Sequence, residues 1–290
     1  MTAAFSRFVR CAFFGWGIII IFLPPGYAQS PWTRSRAGFY VQAAWQTILP
    51  YTSLYSESGK TRPLDRRLTE NAFQLYGEYG LRRYTTLVVS LPFRFQRAGR
   101  FLENTSQPLT NAGALTGLGN ISLGLRHTVL RGRWPLTGTI RVDVPVNNYN
   151  ENAGLRTGYN AFTLQCLLST GRSFPRFYWF VYAGAASRTK GYSPYANAGA
   201  ETGYRFGKLW TIAFTEVVSP APDNSQPEMS VQNQRTGLYV DDQGYWSLGL
   251  KGLYQVQRFW GLTASVAGAG WGRSVPRQPA LSLGACLRWD

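Results

Sequence analysis

The last ten residues of the chain, LSLGACLRWD at 281–290, alternate strictly in character. The apolar members are Leu281, Leu283, Ala285, Leu287 and Trp289. A period of two is that of a β-strand with one apolar face and one small or polar face. A soluble sheet rarely ends on such a strand, with a tryptophan one residue from the terminus. The segment therefore predicts a strand whose apolar face and open edge are both covered by something outside the strand itself.

The composition favours an all-β chain with one wet face. Of the 290 residues, 15% are charged and 15% are aromatic, whereas roughly 25% are charged in typical soluble domains. The mean hydropathy is −0.19. A slightly polar average excludes a bundle of membrane helices, and the low charge is unusual for an ordinary soluble domain.

The N-terminal segment predicts a secretory signal peptide. Arg7 and Arg10 precede an apolar run over 11–23, and Gly26 and Ala28 supply small residues before a cleavage point. This is the order of a charged region, an apolar region and a small-residue site. An anchor helix is disfavoured because the run is shorter than the roughly 20 residues that span a bilayer. We expect residues 1–28 to be removed and residues 29–290 to form the folded protein.

Alternation like that of the final segment recurs along the chain and predicts about twelve strands. The predicted spans are 37–48, 69–80, 83–95, 116–130, 134–146, 158–170, 176–188, 195–207, 209–218, 244–257, 259–271 and 279–289. Most are longer than the roughly 5 or 6 residues usual in soluble sheets. Short basic turns and long polar loops alternate between them, the longest loops being 49–68, 96–115 and 219–243.

An even number of long strands, with short turns at one end and long loops at the other, is the pattern of an outer-membrane barrel. We therefore predict an all-β fold, a single transmembrane antiparallel β-barrel in the outer membrane of a Gram-negative bacterium. Lipid cannot satisfy an open sheet edge, so the last strand must pair with the first. A soluble two-sheet sandwich also alternates, but it would require neither a signal peptide nor strands of this length.

The C-terminal strand also resembles the signal by which the barrel-assembly machinery recognises its clients. Ser282, Gly284, Leu287 and Trp289 match its order of a polar residue, a glycine and two alternating hydrophobic residues, although Asp290 follows the final aromatic. Aromatic residues beside the short turns are expected to form a periplasmic girdle. These are Trp134, Phe177, Phe206, Trp210, Trp260 and Trp289.

Two segments carry a family resemblance. The first is TGLGNISLGLRHTVLRGRWPLTGTIRVDVPVNN at Thr116–Asn148, and the second is LLSTGRSFPRFYWFVYAGAASR followed by AGAETGYRF. They resemble the outer-membrane barrels grouped with the phenol-degradation meta-pathway proteins and, more closely, the XagA-like proteins associated with exopolysaccharide loci. The resemblance covers roughly residues 116–215. It implies an outer-membrane barrel that acts as a transport channel, and it supplies no catalytic residues.

The sequence offers no convincing enzyme site, so we predict that the protein is not an enzyme. An outer-membrane hydrolase of the lipase kind needs a histidine near a serine that loses its proton to it. The sole histidine, His127, is followed two residues later by Val129, and its parity places it on the lipid face. The acidic pair Asp241-Asp242 is expected to be solvated in a loop.

No cofactor, metal or nucleic acid is expected. Gly117-x-Gly119 precedes a strand rather than linking a strand to a helix, so it fails the context of a dinucleotide site. Cys166 and Cys286 lie far apart, without the close spacing of a metal or redox pair. The net charge of +16 comes from residues that look scattered through turns and loops, where outer-membrane lipid or lipopolysaccharide would be their partner.

Parity predicts the charged residues that face the lumen. The candidates are Arg94, Arg126, Arg141, Asp143, Glu201, Arg205, Lys251 and Arg288. Either these charges pair and plug a narrow barrel, since buried charges must be paired, or their excess of Arg and Lys lines a path for anions. Both interpretations stay open at the level of the sequence.

The predicted function is passage of a small or oligomeric solute, with a bias toward anions or saccharides. Pore width and the long loops would set the specificity. The alternative is a non-conducting barrel that serves as a structural or accessory part of a polysaccharide-secretion or envelope assembly.

Overall fold

A computed structural model describes residues 29–56, 60–102, 109–146, 148–221 and 227–289, and the predicted signal peptide lies outside these ranges. The elements are β1 (Phe39–Tyr55), β2 (Thr61–Arg82), β3 (Thr85–Phe101), β4 (Gly113–Leu118), β5 (Ile121–Leu130), β6 (Leu136–Val144), β7 (Tyr149–Asn150), β8 (Leu155–Arg156), β9 (Thr163–Ser173), β10 (Phe177–Arg188), β11 (Tyr195–Phe206), β12 (Leu209–Pro220), α1 (Val231–Thr236), β13 (Gly244–Gln255), β14 (Trp260–Arg273) and β15 (Ala280–Trp289). Within the described ranges, no helix is long and apolar enough to cross a membrane.

The strands close into an antiparallel barrel of twelve, as the sequence predicts. Each strand pairs with its neighbours in the chain, and β1 pairs with β15 through Val41 opposite Leu287 and Phe39 opposite Trp289. β4 and β5 both pair with β3 and together form one interrupted strand of the barrel. The short hairpin β7–β8 stands outside the barrel sheet. The final strand thus covers its open edge by closing the barrel.

Burial along the strands is reversed relative to a soluble protein. On β1, Gln42 is 3% exposed while Trp45 is 46% exposed, and on β15 Leu283 is 69% exposed. The outward positions are apolar and the inward positions are polar or small, as expected when lipid surrounds the barrel. This pattern is the physical reason why period two could be recognised in the sequence.

Aromatic side chains mark both edges of the apolar surface. At the end with the short connections, Trp134, Phe177, Phe206 and Trp289 are exposed as predicted. The expectation for Trp210 is wrong, because it shares the inward face of buried Ile212 and contacts Tyr178 with ring centroids 5.4 Å apart. At the opposite edge, the exposed residues include Trp45, Phe73, Phe93, Trp246 and Trp271.

The long connections are more ordered than the sequence suggests. The predicted loop 49–68 is mostly the continuation of β1 to Tyr55 and of β2 from Thr61, and β3 likewise extends to Phe101. These extensions pack with the β7–β8 hairpin and the segment after α1 in an apolar cluster outside the lipid-facing band. Its buried members are Ile48, Tyr51, Leu54, Leu64, Leu68, Ala98, Ala153, Leu155 and Leu238. We call this cluster and the elements around it the extracellular cap.

Candidate functional site: the lumen and its N-terminal plug

Residues 29–38, which precede β1, fold back into the barrel, and we call them the plug segment. Its backbone is held by side chains from the barrel wall. Thr137 Oγ1 donates to the Pro31 carbonyl at 2.6 Å, and Arg126 Nη1 donates to the Trp32 carbonyl at 3.0 Å. The sequence analysis missed this segment. These contacts are made to backbone atoms, which leave no pattern in the sequence.

Trp32 supplies the apolar body of the plug segment. Its ring meets Tyr178 and Phe180 edge-on, with centroid distances of 5.6 and 5.8 Å. Phe180 also belongs to a buried cluster with Leu167 and Tyr182. Edge-to-face aromatic pairs add stability beyond the burial of their area. The tryptophan therefore fixes the plug segment against the β9–β10 wall.

A buried charge triad joins the plug segment to the opposite wall. Arg34 Nε lies 2.7 Å from Glu78 Oε2, and Arg126 Nη1 lies 3.1 Å from Glu78 Oε1. Tyr76 donates a third hydrogen bond to the same carboxylate at 2.6 Å. The side chains of Arg126 and Glu78 are 0% and 5% exposed. Charges buried this deeply are tolerated only when they are paired and hydrogen-bonded.

Gly80 of β2 provides the room for this approach. A β-carbon at this position would overlap the backbone carbonyl of Ser35. The Ala37 N–H donates to the Gly80 carbonyl, and the Gly80 N–H donates to the Gly38 carbonyl, both at 2.8 Å. Only glycine lets two backbones come this close. Residues 37 and 38 of the plug segment thus form backbone hydrogen bonds with Gly80 of β2, much as a neighbouring strand would.

Gln29, the first described residue of the plug segment, is buried in the middle of the lumen. Its Nε2 donates to Glu216 Oε1 at 3.3 Å. Glu216 also accepts from Asn197 Nδ2 at 3.3 Å and from the Tyr245 hydroxyl at 3.5 Å. The periplasmic half of the lumen below Gln29 is occupied by the plug segment and by wall side chains.

Above Gln29 the lumen opens into a chamber of about 290 Å³ that reaches the extracellular cap. Beside Gln29, toward β11–β15, the described residues line a narrower cavity of about 60 Å³. Glu201 and Lys251, both predicted lumenal residues, line this narrow cavity. The barrel is therefore wide on the extracellular side and constricted at the level of Gln29.

The charges in the chamber balance. Its lining contains Arg94, Arg141 and Arg188 against Glu70, Asp143 and Glu216. Asp143 lies 3.4 Å from Arg141 Nε and also accepts from Ser122. Glu70 accepts from Tyr51 and Gln96. Of the two interpretations that the sequence leaves open, this equal number of arginines and acids favours balanced charges over a positively charged path.

Several buried polar atoms around the chamber have no hydrogen-bond partner among the described residues. They are Arg94 Nε, Arg141 Nε, Asn120 Oδ1, Gln165 Oε1 and Gln29 Oε1. All five residues line the chamber. Two are donors and three are acceptors, so a molecule that satisfies them must both donate and accept hydrogen bonds.

Tyrosines and one arginine form the roof of the chamber. Tyr159 meets Tyr192 and Tyr239 edge-on at 5.5 and 5.3 Å, and Arg188 Cζ lies 4.8 Å from the Tyr159 ring centroid. Burial raises the pKa of the Tyr159 hydroxyl and, more strongly, that of Tyr239. Both remain neutral phenols, so they add hydrogen-bonding capacity and aromatic faces without adding charge.

The remaining predicted lumenal residues lie at different depths. Arg94, Arg141 and Asp143 line the chamber, whereas Arg126 is enclosed beneath the plug segment. Arg205 and Arg288 keep the inward parity but are exposed at the end of the barrel with the short connections, so they lie at its mouth and not in the chamber. Parity identifies the face of a strand but not the depth, and both residues lie within two residues of a strand end.

None of the residues weighed as catalytic lines the chamber. His127 is exposed on the outward face and shares a hydrogen bond of 2.9 Å with Thr85. The sequence analysis expects Asp241 to be solvated in a loop. Instead, its carboxylate accepts hydrogen bonds from the Ser193 N–H and hydroxyl, both at 2.8 Å. Asp242 accepts from the same hydroxyl and lies 3.3 Å from Arg273. This acidic pair ties one extracellular loop to another.

No protein-family model and no curated protein matches the chain. Solved structures do match. The chain resembles the COG4313 outer membrane channel from Pseudomonas putida F1, with 14% identity, a TM-score of 0.66, and coverage of 92% of this chain and 100% of that one. It also matches the translocator domain of the autotransporter NalP from Neisseria meningitidis (12% identity, TM-score 0.49, 87% and 88% coverage). A third match is the NanC porin (6% identity, TM-score 0.49, 87% and 100% coverage).

At such low identity the first of these likenesses shows a shared fold. The closed barrel, its lipid-facing apolar surface and its aromatic edges agree with that fold. The chain is a twelve-stranded β-barrel protein of the outer membrane.

Proposed function

We propose that the protein is an outer-membrane channel whose periplasmic half is closed by its own N-terminal segment. The observation that carries this proposal is the contrast between the two halves of the lumen. A chamber of about 290 Å³ lies above Gln29, while the plug segment packs into the space below and leaves a cavity of about 60 Å³ beside it. A protein that needed only a stable barrel would have no use for a polar chamber. The shared fold with a solved outer membrane channel supports the same function.

The chamber suits small hydroxyl-rich solutes such as saccharides better than anions. Its three arginines are offset by three acids, so no unpaired positive field remains to select anions. Seven amide side chains and five tyrosines line it, namely Gln29, Gln46, Gln74, Asn120, Gln165, Asn197 and Gln243 with Tyr76, Tyr159, Tyr195, Tyr239 and Tyr245. Amides and phenols both donate and accept, as sugar hydroxyls do, and the rings offer faces to the carbon skeleton.

Solute uptake into proteoliposomes tests the solute class. In a chain lacking residues 30–36, whose lumen is not closed by the plug segment, we expect arabinose and glucose to swell vesicles faster than gluconate or glucosamine of similar size. Equal rates for neutral and anionic sugars would remove the argument for a neutral solute. Faster uptake of gluconate would restore the anion path predicted from the sequence.

Ion selectivity tests the balance of charge. In the chain lacking residues 30–36, we expect a reversal potential close to zero, because the chamber arginines and acids cancel. Arg94→Glu changes three arginines against three acids into two against four and should make the pore cation-selective. Arg100→Glu, an exposed position beyond the chamber on the same strand, is the control and should leave selectivity unchanged. A strongly anion-selective parent pore would contradict the balance.

A second function is favoured by the packed periplasmic half. A barrel whose plug never moves would conduct nothing and would serve an envelope assembly, including a polysaccharide-secretion apparatus, as a structural part. The triad of Arg34, Glu78 and Arg126 is the observation in its favour. Absence of solute uptake by the mature chain, together with rapid uptake by the chain lacking residues 30–36, would support it.

A further inference from the structure

At the end of the barrel with the short connections, basic residues lie together without acidic neighbours among the described residues. The members of this set, which we call the basic rim, are Arg36, Arg82, Arg83, Arg131, Arg133, Arg172, Arg176, Arg205, Lys208, Arg258 and Arg288. All but Arg172 are exposed, and no Asp or Glu among the described residues lies in the short connections at this end. Other Lys and Arg residues lie in the lumen and at the opposite end, so the positive charges are spread through the chain as the sequence analysis expects. The up-and-down topology nevertheless brings the basic short turns, which are distant in the sequence, to the same edge.

Several guanidinium groups of the basic rim lie on aromatic rings. Arg131 Cζ is 3.8 Å from the Tyr84 ring centroid, and Arg83 Cζ is 5.4 Å from the same centroid. Arg172 Cζ lies 4.7 Å from Phe174. Two like charges on one tyrosine repel each other unless an anion lies between or beside them. The Arg83–Tyr84–Arg131 arrangement is therefore prepared for a negatively charged group.

The position of the basic rim along the barrel axis shows which part of the membrane surrounds these arginines. Exposed Trp134, Phe177, Phe206 and Trp289 lie at the same end of the barrel, and such aromatic girdles mark the boundary between hydrocarbon and head groups. Arg172 Cζ is 5.8 Å from the Trp134 ring, so it lies at this boundary. Short turns of outer-membrane barrels face the periplasm. The rim consequently meets the head groups of the inner leaflet, which consists of phospholipid.

We propose that the basic rim binds the phosphate groups of anionic phospholipids in the inner leaflet, with Arg83 and Arg131 beside Tyr84 as its strongest site. Guanidinium groups bind phosphate through charge-assisted and bidentate hydrogen bonds. A basic segment gains about 1 kcal/mol per Lys or Arg at an anionic lipid surface. Trp134, the girdle ring beside Arg172, is exposed on the barrel surface that faces lipid, which favours a lipid over a soluble acidic partner. This interaction does not depend on whether the lumen conducts.

Lipid retention in native mass spectrometry tests the proposal on the full mature chain. The barrel is extracted from bilayers containing equal amounts of phosphatidylglycerol and phosphatidylcholine. We expect phosphatidylglycerol to be retained over phosphatidylcholine. Replacing Arg83, Arg131, Arg133 and Arg172 by Gln should lower that preference by about fivefold or more. A fivefold ratio corresponds to about 1 kcal/mol, which is the gain from a single Lys or Arg at an anionic lipid surface. High salt should weaken the preference in the parent chain.

The matched control carries four replacements at the other end of the barrel. Lys60, Arg67, Arg97 and Arg100 are exposed there, and their change to Gln alters the net charge equally. Heat-modifiable migration in gels confirms that both variants fold. An equal loss in the control would show a response to net charge alone and overturn the site. An unchanged preference in the rim variant would also overturn it and leave the rim for a soluble acidic partner.

Discussion

Removal of residues 30–36 is expected to raise the single-channel conductance of the barrel several-fold in a planar bilayer. The deleted residues include Trp32, which packs on Tyr178 and Phe180, and the backbone that Thr137 and Arg126 hold. With them gone, the chamber would open directly to the periplasmic side. The deletion also removes Arg34 but leaves Glu78 paired with Arg126, so the barrel wall keeps a balanced ion pair.

A point substitution provides a second route to the same result. Gly80→Val places a side chain where the Ser35 carbonyl now lies and should expel the plug segment without shortening the chain. Gly77→Val on the same strand is the matched control, since a β-carbon there meets nothing closer than the Tyr40 carbonyl at 3.9 Å. Conductance equal to that of the parent in both the deletion and Gly80→Val, in folded protein, would show that the plug segment does not close the lumen.

Glu78→Gln is expected to lower the free energy of unfolding by about 3–5 kcal/mol, the usual cost of breaking a buried ion pair by removing one partner. The change leaves the fully buried guanidinium of Arg126 without its counter-charge and releases Arg34. Denaturant unfolding in detergent or lipid, followed by tryptophan fluorescence, measures the difference. We also expect higher conductance, because Arg34 is an anchor of the plug segment.

Glu151→Gln is the control for this measurement, because Glu151 is exposed in the extracellular cap and surface changes of this kind stay within about 0.5 kcal/mol. Combining Glu78→Leu with Arg126→Met removes both buried charges and should recover part of the lost stability. A loss for Glu78→Gln no larger than that for Glu151→Gln would mean that the triad is not the anchor.

The barrel could be predicted from the sequence because lipid imposes a simple rule on every strand. Outward positions such as Leu283 must be apolar and inward positions such as Gln42 need not be, so period two persists from β1 to β15. Closure followed from the final strand, whose apolar face continues to Trp289. The extracellular cap was harder to predict from the sequence. Its strand extensions pack on both faces, so the alternation of apolar and polar residues is lost beyond Ile48.

The plug segment could not be predicted in the same way. QSPWTRSRAG at 29–38 has no strand or helix period, and its contacts depend on carbonyl groups that any residue carries. One signal was available in the sequence. Trp32 and Arg34 lie between the predicted cleavage point and the first strand, and a flexible linker would require neither a large aromatic nor a basic residue. The depth of inward charges was equally hidden. Arg94 and Arg126 share a face by parity, yet one borders an open chamber and the other is enclosed.

The most direct test of the account is a switchable lock on the plug segment. The Oγ1 atoms of Thr33 and Thr128 lie 3.3 Å apart, so cysteines at both positions are placed to form a disulfide once Cys166 and Cys286 are replaced by Ala. Single-channel current is recorded under applied voltage, first oxidised and then after reductant is added to the same membrane. The applied voltage acts on the charges of Arg34 and Arg36. Moving one elementary charge across the whole membrane changes the free energy by about 2.3 kcal/mol per 100 mV. The account predicts a closed barrel while the disulfide is intact and conductance steps after reduction. Full steps from the cross-linked barrel, or no steps in either state, would contradict it.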